Sequence, residues 1–511
     1  MTWCNWAGNV CAPVHPVAKD APSRLRASLQ ALVGADPQGR ELRPIATAYS
    51  TGQVIAPSSE GHLLDLSDLR LEPEPGVAKG PKILGLDDPR FDGAGLQLST
   101  AQRKRYAKVS ASARIHEVND FLDARGRSLP MMGAFSGQTL IGAMSTSTHG
   151  SGYRHGTLAD EVVSIDLLTV VRGAAGLEVA EVTVEPESNP ITHGSLRSDA
   201  LFAALRVGLG AFGFITSVVV KTVPRFWIEQ TVFNLSWTEL VRDWLQGRDS
   251  QGRSRRIHEY YNAGVLIVPY LSRRDGRTDW HNCTLSVGNK HTSADAAPPG
   301  AVPATRNRPA DFIVALGQAW MGHQDARALP SVIDAVMSDA RPPPRMFDVG
   351  HRVLADPAGF PIKGVGIEYA FDMDAEPYLA LHAMLVAVHE EAQRGRYLPG
   401  FFSIRFGGPS AAHLAMSRKP TCIVEVLSLR EIGQGESHVL PRLEEVALDH
   451  GGRANWGLGL ALGDPAPDPQ RLARIRALYE PELTQWRDAP AAAGLPIATE
   501  LFRNEVIDAL R

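Results

Sequence analysis

The chain has 511 residues, 44% hydrophobic and 21% charged, the balance of a globular protein with material for roughly three cores of about 150 residues. Its 52 basic and 56 acidic side chains leave a net charge of −4, which gives nucleic acid and anionic membranes nothing to hold. No stretch approaches the roughly 20 apolar residues of a membrane span, and the opening MTWCNWAGNVCAP has neither a basic nor an unbroken apolar run to mark a secretion signal.

In chain order, Cys4 and Cys11 stand close enough to pair or to share a metal. No second ligand pair lies nearby, so they read as free thiols, no metal site is expected, and a cytoplasmic protein is implied. Leu25, Leu29 and Leu32 recur at helical spacing over 22–35, ending beside Gly34. ELRPIATA (41–48) and HLLDLSDL (62–69) read as strands, and 73–83 as a loop. The pattern predicts a strand over 106–115, a helix over 115–126 closed by Gly126, and a strand at the end of 156–171. A helix joined to a strand through three close glycines follows in 201–223. This alternation argues for a compact α/β unit up to about residue 225. Beyond 226 the blocks grow longer and less regular, with an exposed Pro/Ala-rich loop at 296–310. A helix is expected over 374–397, strands over 401–408 and 420–429, and a loop motif over 451–463.

The segment GAFSGQTLIGAMSTSTHGSG (133–152) carries the most information. So many Gly, Ser and Thr residues let the main chain approach a ligand and offer hydroxyls and amides to phosphate oxygens, although a tight strand connection favours the same composition. Gly142 and Ser145-Thr146-Ser147-Thr148-His149-Gly150-Ser151-Gly152 resemble the FAD-binding segment of the vanillyl-alcohol oxidase (PCMH-type) superfamily, with the aldonolactone and alditol oxidases as its most similar group. Asn5 to Asn9, 109–133, 201–213, His258 to Tyr261 and Gly366 to Tyr369 resemble further segments of that group. The resemblance implies an α+β fold. A two-subdomain FAD-binding domain spans 1–225, an α+β substrate (cap) domain spans 226–440, and 441–511 returns to the FAD side.

It also implies site residues. Ser145, Thr146, Thr148, His149, Gly150, Ser151 and Gly152 would line the cofactor together with Gly142, Gly213, Ile215 and Trp456. Tyr49 stands in the turn Tyr49-Ser50-Thr51-Gly52, where relatives carry the histidine that bonds the flavin covalently, so FAD is expected to be non-covalent. Relatives also place a Glu-x-Arg pair where this chain has Ser403 and Arg405, two residues that share a strand face. A His and a Lys of relatives are replaced by Asn455 and Leu458. Glu425, Glu368 and His413 are candidate substitutes for the missing base, since base duty needs a carboxylate or imidazole tuned by its surroundings. The catalytic set is therefore Arg405, Ser403, Glu425 and Asn455. The expected reaction is hydride removal from an alcohol-type C–H of a small substrate, less polar than a sugar alcohol and in the manner of a secondary metabolite, with O2 or another acceptor reoxidising the flavin. The alternatives are a lactone or alditol oxidase with a rearranged site, and a flavin fold recruited for non-redox binding or cyclisation.

Overall fold

A computed structural model describes the chain apart from residues 1, 6, 8–9, 14–19, 36–40, 48, 52–53, 55–61, 93–94, 175, 247–256, 275–276, 305–308, 322–324, 340–342, 356–362, 431 and 463–466. Two sheets organise it. The first has six strands in the order Leu196–Arg197, Gly176–Glu185, Val162–Gly173, Phe214–Lys221, Tyr106–Ser110, Ile83–Gly85. Beside it, Leu42–Ile45 pairs in parallel with His62–Asp65. Helices Pro22–Ala35, Ile115–Asp123 and Asp199–Arg206 complete this lobe, burying Leu25 and Leu29, Leu122, and Leu201 and Leu205 respectively.

The second sheet has eight strands, and its central ones are Asn262–Arg274, Gly400–Gly407, Thr421–Leu429 and Gly364–Asp372. Phe401, Phe402, Phe406, Val424, Val426, Ile367 and Tyr369 are almost wholly buried in it. Burying both faces requires a continuous apolar run rather than alternation. Helices Pro377–Gln393 and Leu440–Asp449 pack together against this lobe. The chain crosses back only after the short strand Arg453–Ala454, which pairs with Gly364–Asp372, and so later than residue 441. Helix Glu482–Ala492 then packs on Asp199–Arg206, and the Arg511 guanidinium donates to the Ala211 carbonyl. Among the described residues no helix is long and apolar enough to cross a membrane.

Several expectations change. Cys4 and Cys11 are not free thiols: Thr2–Cys4 and Cys11–Pro13 form an antiparallel pair that sets them opposite one another, and they are joined as a disulfide. The strand expected over 106–115 ends at Ser110, because the chain turns there and Arg114 N–H donates to Glu117 to open the following helix. Within 133–152, Leu140–Ser145 is a helix capped by the Thr139 hydroxyl, which accepts from Gly142 N–H at 3.3 Å. The long strand Asn262–Arg274 was hidden by Pro269, which falls at a register shift where no ladder N–H is needed.

Candidate functional site

A cavity of about 290 Å³ runs between the two lobes. Its first-lobe wall is built from Arg43 to Thr47, Tyr49 to Thr51, and residues within Gly133 to His149 and Leu209 to Ile215. Two glycines are required for its shape. Gly213 sits at φ +131°, with a Cβ position 2.6 Å from the Leu168 carbonyl oxygen, and a Cβ on Gly457 would lie 3.0 Å from Thr146 Oγ1. The turn at Tyr49 is fixed to the same glycine: Ser50 Oγ (2.9 Å) and Thr51 N–H (3.0 Å) both donate to the Gly457 carbonyl. Asn5, carried between the disulfide-linked strands, donates its amide to the Ser50 carbonyl at 2.9 Å. Tyr49 lines the cavity edge-on to Phe135, ring centroids 4.7 Å apart. Gly52 lies outside the described residues.

Arg43, which the sequence reading passed over, is 2% exposed in this wall. Its guanidinium donates to the carbonyls of Val54, Leu209, Gly210 and Phe502, drawing three distant segments together. Burial, with Arg511 nearby, pushes it down to about 10. Among the described residues that line this wall there is no Asp or Glu, and Arg43 is its one full-time charge.

The acidic groups are all on the opposite wall. Antiparallel register sets Glu368, Glu425 and Ser403 side by side on three neighbouring strands, and Arg405 follows two residues along from Ser403 on the same face. Arg405 Nη2 donates to Glu425 Oε2 at 2.5 Å, and its Nη1 is 3.9 Å from Glu368 Oε1. Glu368 Oε1 also meets His149 Nε2 at 3.1 Å, and Oε2 accepts from the Asn455 amide at 2.5 Å. The surroundings split the two carboxyls. Burial alone would raise Glu368, but His149, Arg405 and Asn455 outweigh it and hold this carboxyl below its ordinary value. Glu425 is raised, because burial and the neighbouring Glu368 overcome its ion pair with Arg405. Arg405 is raised in turn: its two carboxylate partners outweigh burial.

Tyr49, Ser50, Thr51, Gly142, Ser145, Thr146, Thr148, His149, Gly213, Ile215, Ser403, Arg405, Glu425 and Asn455 thus all border one cavity. Gly150, Ser151, Gly152 and Trp456 do not. The Ser151 hydroxyl donates to the Ala263 carbonyl and accepts from Phe406 N–H, while Gly152 pairs with Gly407, so this stretch fastens the lobes together. Trp456 is buried behind the wall, donating to the Leu414 carbonyl and packing on Tyr479. His413 is likewise outside, its N–H bonded to the Ala203 carbonyl. Asn455 borders the cavity but spends its side chain: the amide goes to Glu368, and the carbonyl accepts from Gly457 N–H at 2.7 Å. That makes it a positioning residue rather than a catalytic one. Leu427 and Phe401, also missed, were legible in principle as the strand positions two residues from Glu425 and Ser403.

Comparison with known proteins agrees with this geometry. A model of the FAD binding domain matches residues 89–174. The D-arabinono-1,4-lactone oxidase of Saccharomyces cerevisiae is 30% identical over 190 residues, covering 37% of this chain and 30% of that protein. The chain aligns with only 20% of the putative D-arabinono-1,4-lactone oxidase of Neurospora crassa, at 33% identity over 26% of its own length. The L-gulono-1,4-lactone dehydrogenase of Mycobacterium tuberculosis is 24% identical over 94% of this chain and 96% of its own. A cholesterol oxidase from Brevibacterium sterolicum shares the fold over the whole chain and 96% of that structure, with a TM-score of 0.73 at 15% identity. Residues 89–174 thus match a FAD binding domain, and the whole chain resembles PCMH-type FAD oxidases in fold, with lactone oxidases and dehydrogenases among the proteins it is similar to in sequence.

Proposed function

We propose that the protein is a FAD-dependent oxidoreductase that removes a hydride from an alcohol-type C–H of a small molecule, with FAD held non-covalently. The carrying observation is the division of charge across the cavity. The first-lobe wall offers hydroxyls, main-chain groups and one buried arginine among apolar side chains, and its described residues include no carboxylate, a lining that suits a dianionic diphosphate, whereas the second-lobe wall concentrates Glu425, Arg405 and Glu368. The residues that would hold FAD are Thr47, Tyr49 to Thr51, and those lining the cavity within Gly142 to His149 and Gly213 to Ile215. FAD supplies acceptance of a hydride when bound.

The chain's own residues do the rest. Glu425, its carboxyl raised above the ordinary value by burial, takes the hydroxyl proton as base. Arg405 is fixed between two carboxylates, where its charge can stabilise the oxygen as negative charge develops. Glu368, tied to His149 and Asn455, holds Arg405 in place. The substrate's C–H and O–H bonds break and a C=O bond forms. The proton goes to Glu425, the electron pair leaves with the hydride, and O2 or another acceptor takes it on. Anaerobic mixing of holoprotein with alcohols tests this directly. Loss of the visible flavin band is expected, and a band unchanged by every alcohol that binds contradicts it.

Two further outcomes are expected. Tyr49→His should give a fraction of flavin that stays with acid-precipitated protein, because the turn already faces the cavity and a histidine there has the chemistry relatives use. Flavin wholly in the supernatant would show that this turn does not present its side chain to the ring. Reducing the exposed Cys4–Cys11 disulfide, or making the Cys4→Ser/Cys11→Ser double variant, should weaken FAD retention by a few-fold. The hairpin it closes holds Asn5 on the Ser50 carbonyl and Ala7 under the Arg430 guanidinium. Equilibrium dialysis of FAD with oxidised and reduced protein measures it.

A further inference from the structure

The second-lobe wall changes character along its strands. Beside the rung Glu368–Glu425–Ser403 lies the rung Gly366–Leu427–Phe401, and beyond it Gly364 pairs with Leu429. All of these positions border the cavity, so one strand face runs from charged to wholly apolar. Four residues at about 3.3 Å each make this run about 13 Å long. Val365 and Pro399, chain neighbours of these rungs, border the cavity too, as do Leu316 of helix Pro309–Trp320 and Leu458. Among these described lining residues the one hydroxyl is Ser428, and it already donates to the Leu429 carbonyl at 3.1 Å.

A polyol or sugar lactone carries several hydroxyls. Each one buried on this surface without a partner would forfeit its hydrogen bonds to water. An apolar body gains by leaving water there. We infer that the substrate is a monohydroxy compound with an apolar body about 10 Å long, a fused-ring or long-chain alcohol. Its hydroxyl sits at Glu425 and Arg405, and its body lies along Leu427, Phe401 and Leu429. This inference rests on the proposed alcohol oxidation for what happens at the hydroxyl, but the choice of substrate class rests on the apolar rungs alone.

Binding and bleaching separate the two. Holoprotein is titrated calorimetrically, and by perturbation of the flavin spectrum, with decahydronaphthol, octanol, xylitol and a sugar lactone, and anaerobic bleaching is then followed with each. The inference predicts that decahydronaphthol and octanol bind at least tenfold more tightly than xylitol or the lactone. It further predicts that Leu427→Asn weakens decahydronaphthol by roughly tenfold to a hundredfold without weakening xylitol. Tight binding of the apolar alcohols without bleaching would uphold the substrate class and overturn the redox reading. Tighter binding or faster bleaching by xylitol or the lactone, or no binding by either apolar probe, would overturn the substrate class. The wild-type ranking decides this even if Leu427→Asn does not fold.

Discussion

Arg405→Ala is expected to cut turnover by roughly 10²–10³-fold while leaving most of the FAD in place. Arg405 borders the cavity from the second lobe, and its guanidinium donates to Glu425 of that same lobe. Its guanidinium separates two buried carboxylates, at 2.5 Å from Glu425 and 3.9 Å from Glu368. Without it those carboxylates face each other across one rung, and removing one partner of a buried charge group costs about 3–5 kcal/mol. The variant should therefore melt earlier, and Glu425 should titrate higher still. Flavin content, melting temperature and turnover measured on the same preparation check this. Loss of FAD with unchanged turnover per bound flavin would make Arg405 a purely structural arginine.

Glu425→Gln should be the purer catalytic lesion, with turnover down by roughly 10²–10⁴-fold and little change in FAD content. The amide keeps the shape and can still accept from Arg405, but it cannot take a proton. The pH profile gives the sign. Glu425 is raised above the ordinary carboxyl value by burial and by Glu368, so the base is active only above that raised value. In the wild type kcat/KM should climb with pH through an acid limb displaced upward, and Glu425→Gln should abolish that limb. An unchanged limb in the variant would assign the base to another group. Glu368, held low by His149, Arg405 and Asn455, stays ionised across the same range and cannot produce the limb.

The legible parts of this molecule were those where composition answers directly to local geometry. The Gly/Ser/Thr stretch announced a close backbone approach, and 201–223 joined a helix to a strand as read. The runs FFSIRFGG and PTCIVEVLSL announced buried strands, which lie at Gly400–Gly407 and Thr421–Leu429. What stayed hidden depends on register between distant segments. Ser403 in place of a carboxylate looks like a lost base until pairing sets Glu425 directly opposite it. Cys4 and Cys11 looked like free thiols until a hairpin set them face to face. Ser151 and Gly152 looked like part of a phosphate loop, yet their hydrogen bonds point away from the cavity into the second sheet. Arg43 carries no motif at all. Its importance lies in burial among carbonyls of three segments, the farthest at Phe502, which one chain position cannot reveal.

The most direct test of dissociable FAD in this cavity is the visible spectrum of purified protein before and after acid precipitation. The account predicts a yellow protein whose flavin passes entirely into the supernatant, leaving a colourless pellet. A yellow pellet, or a colourless protein that FAD cannot reconstitute, would contradict it.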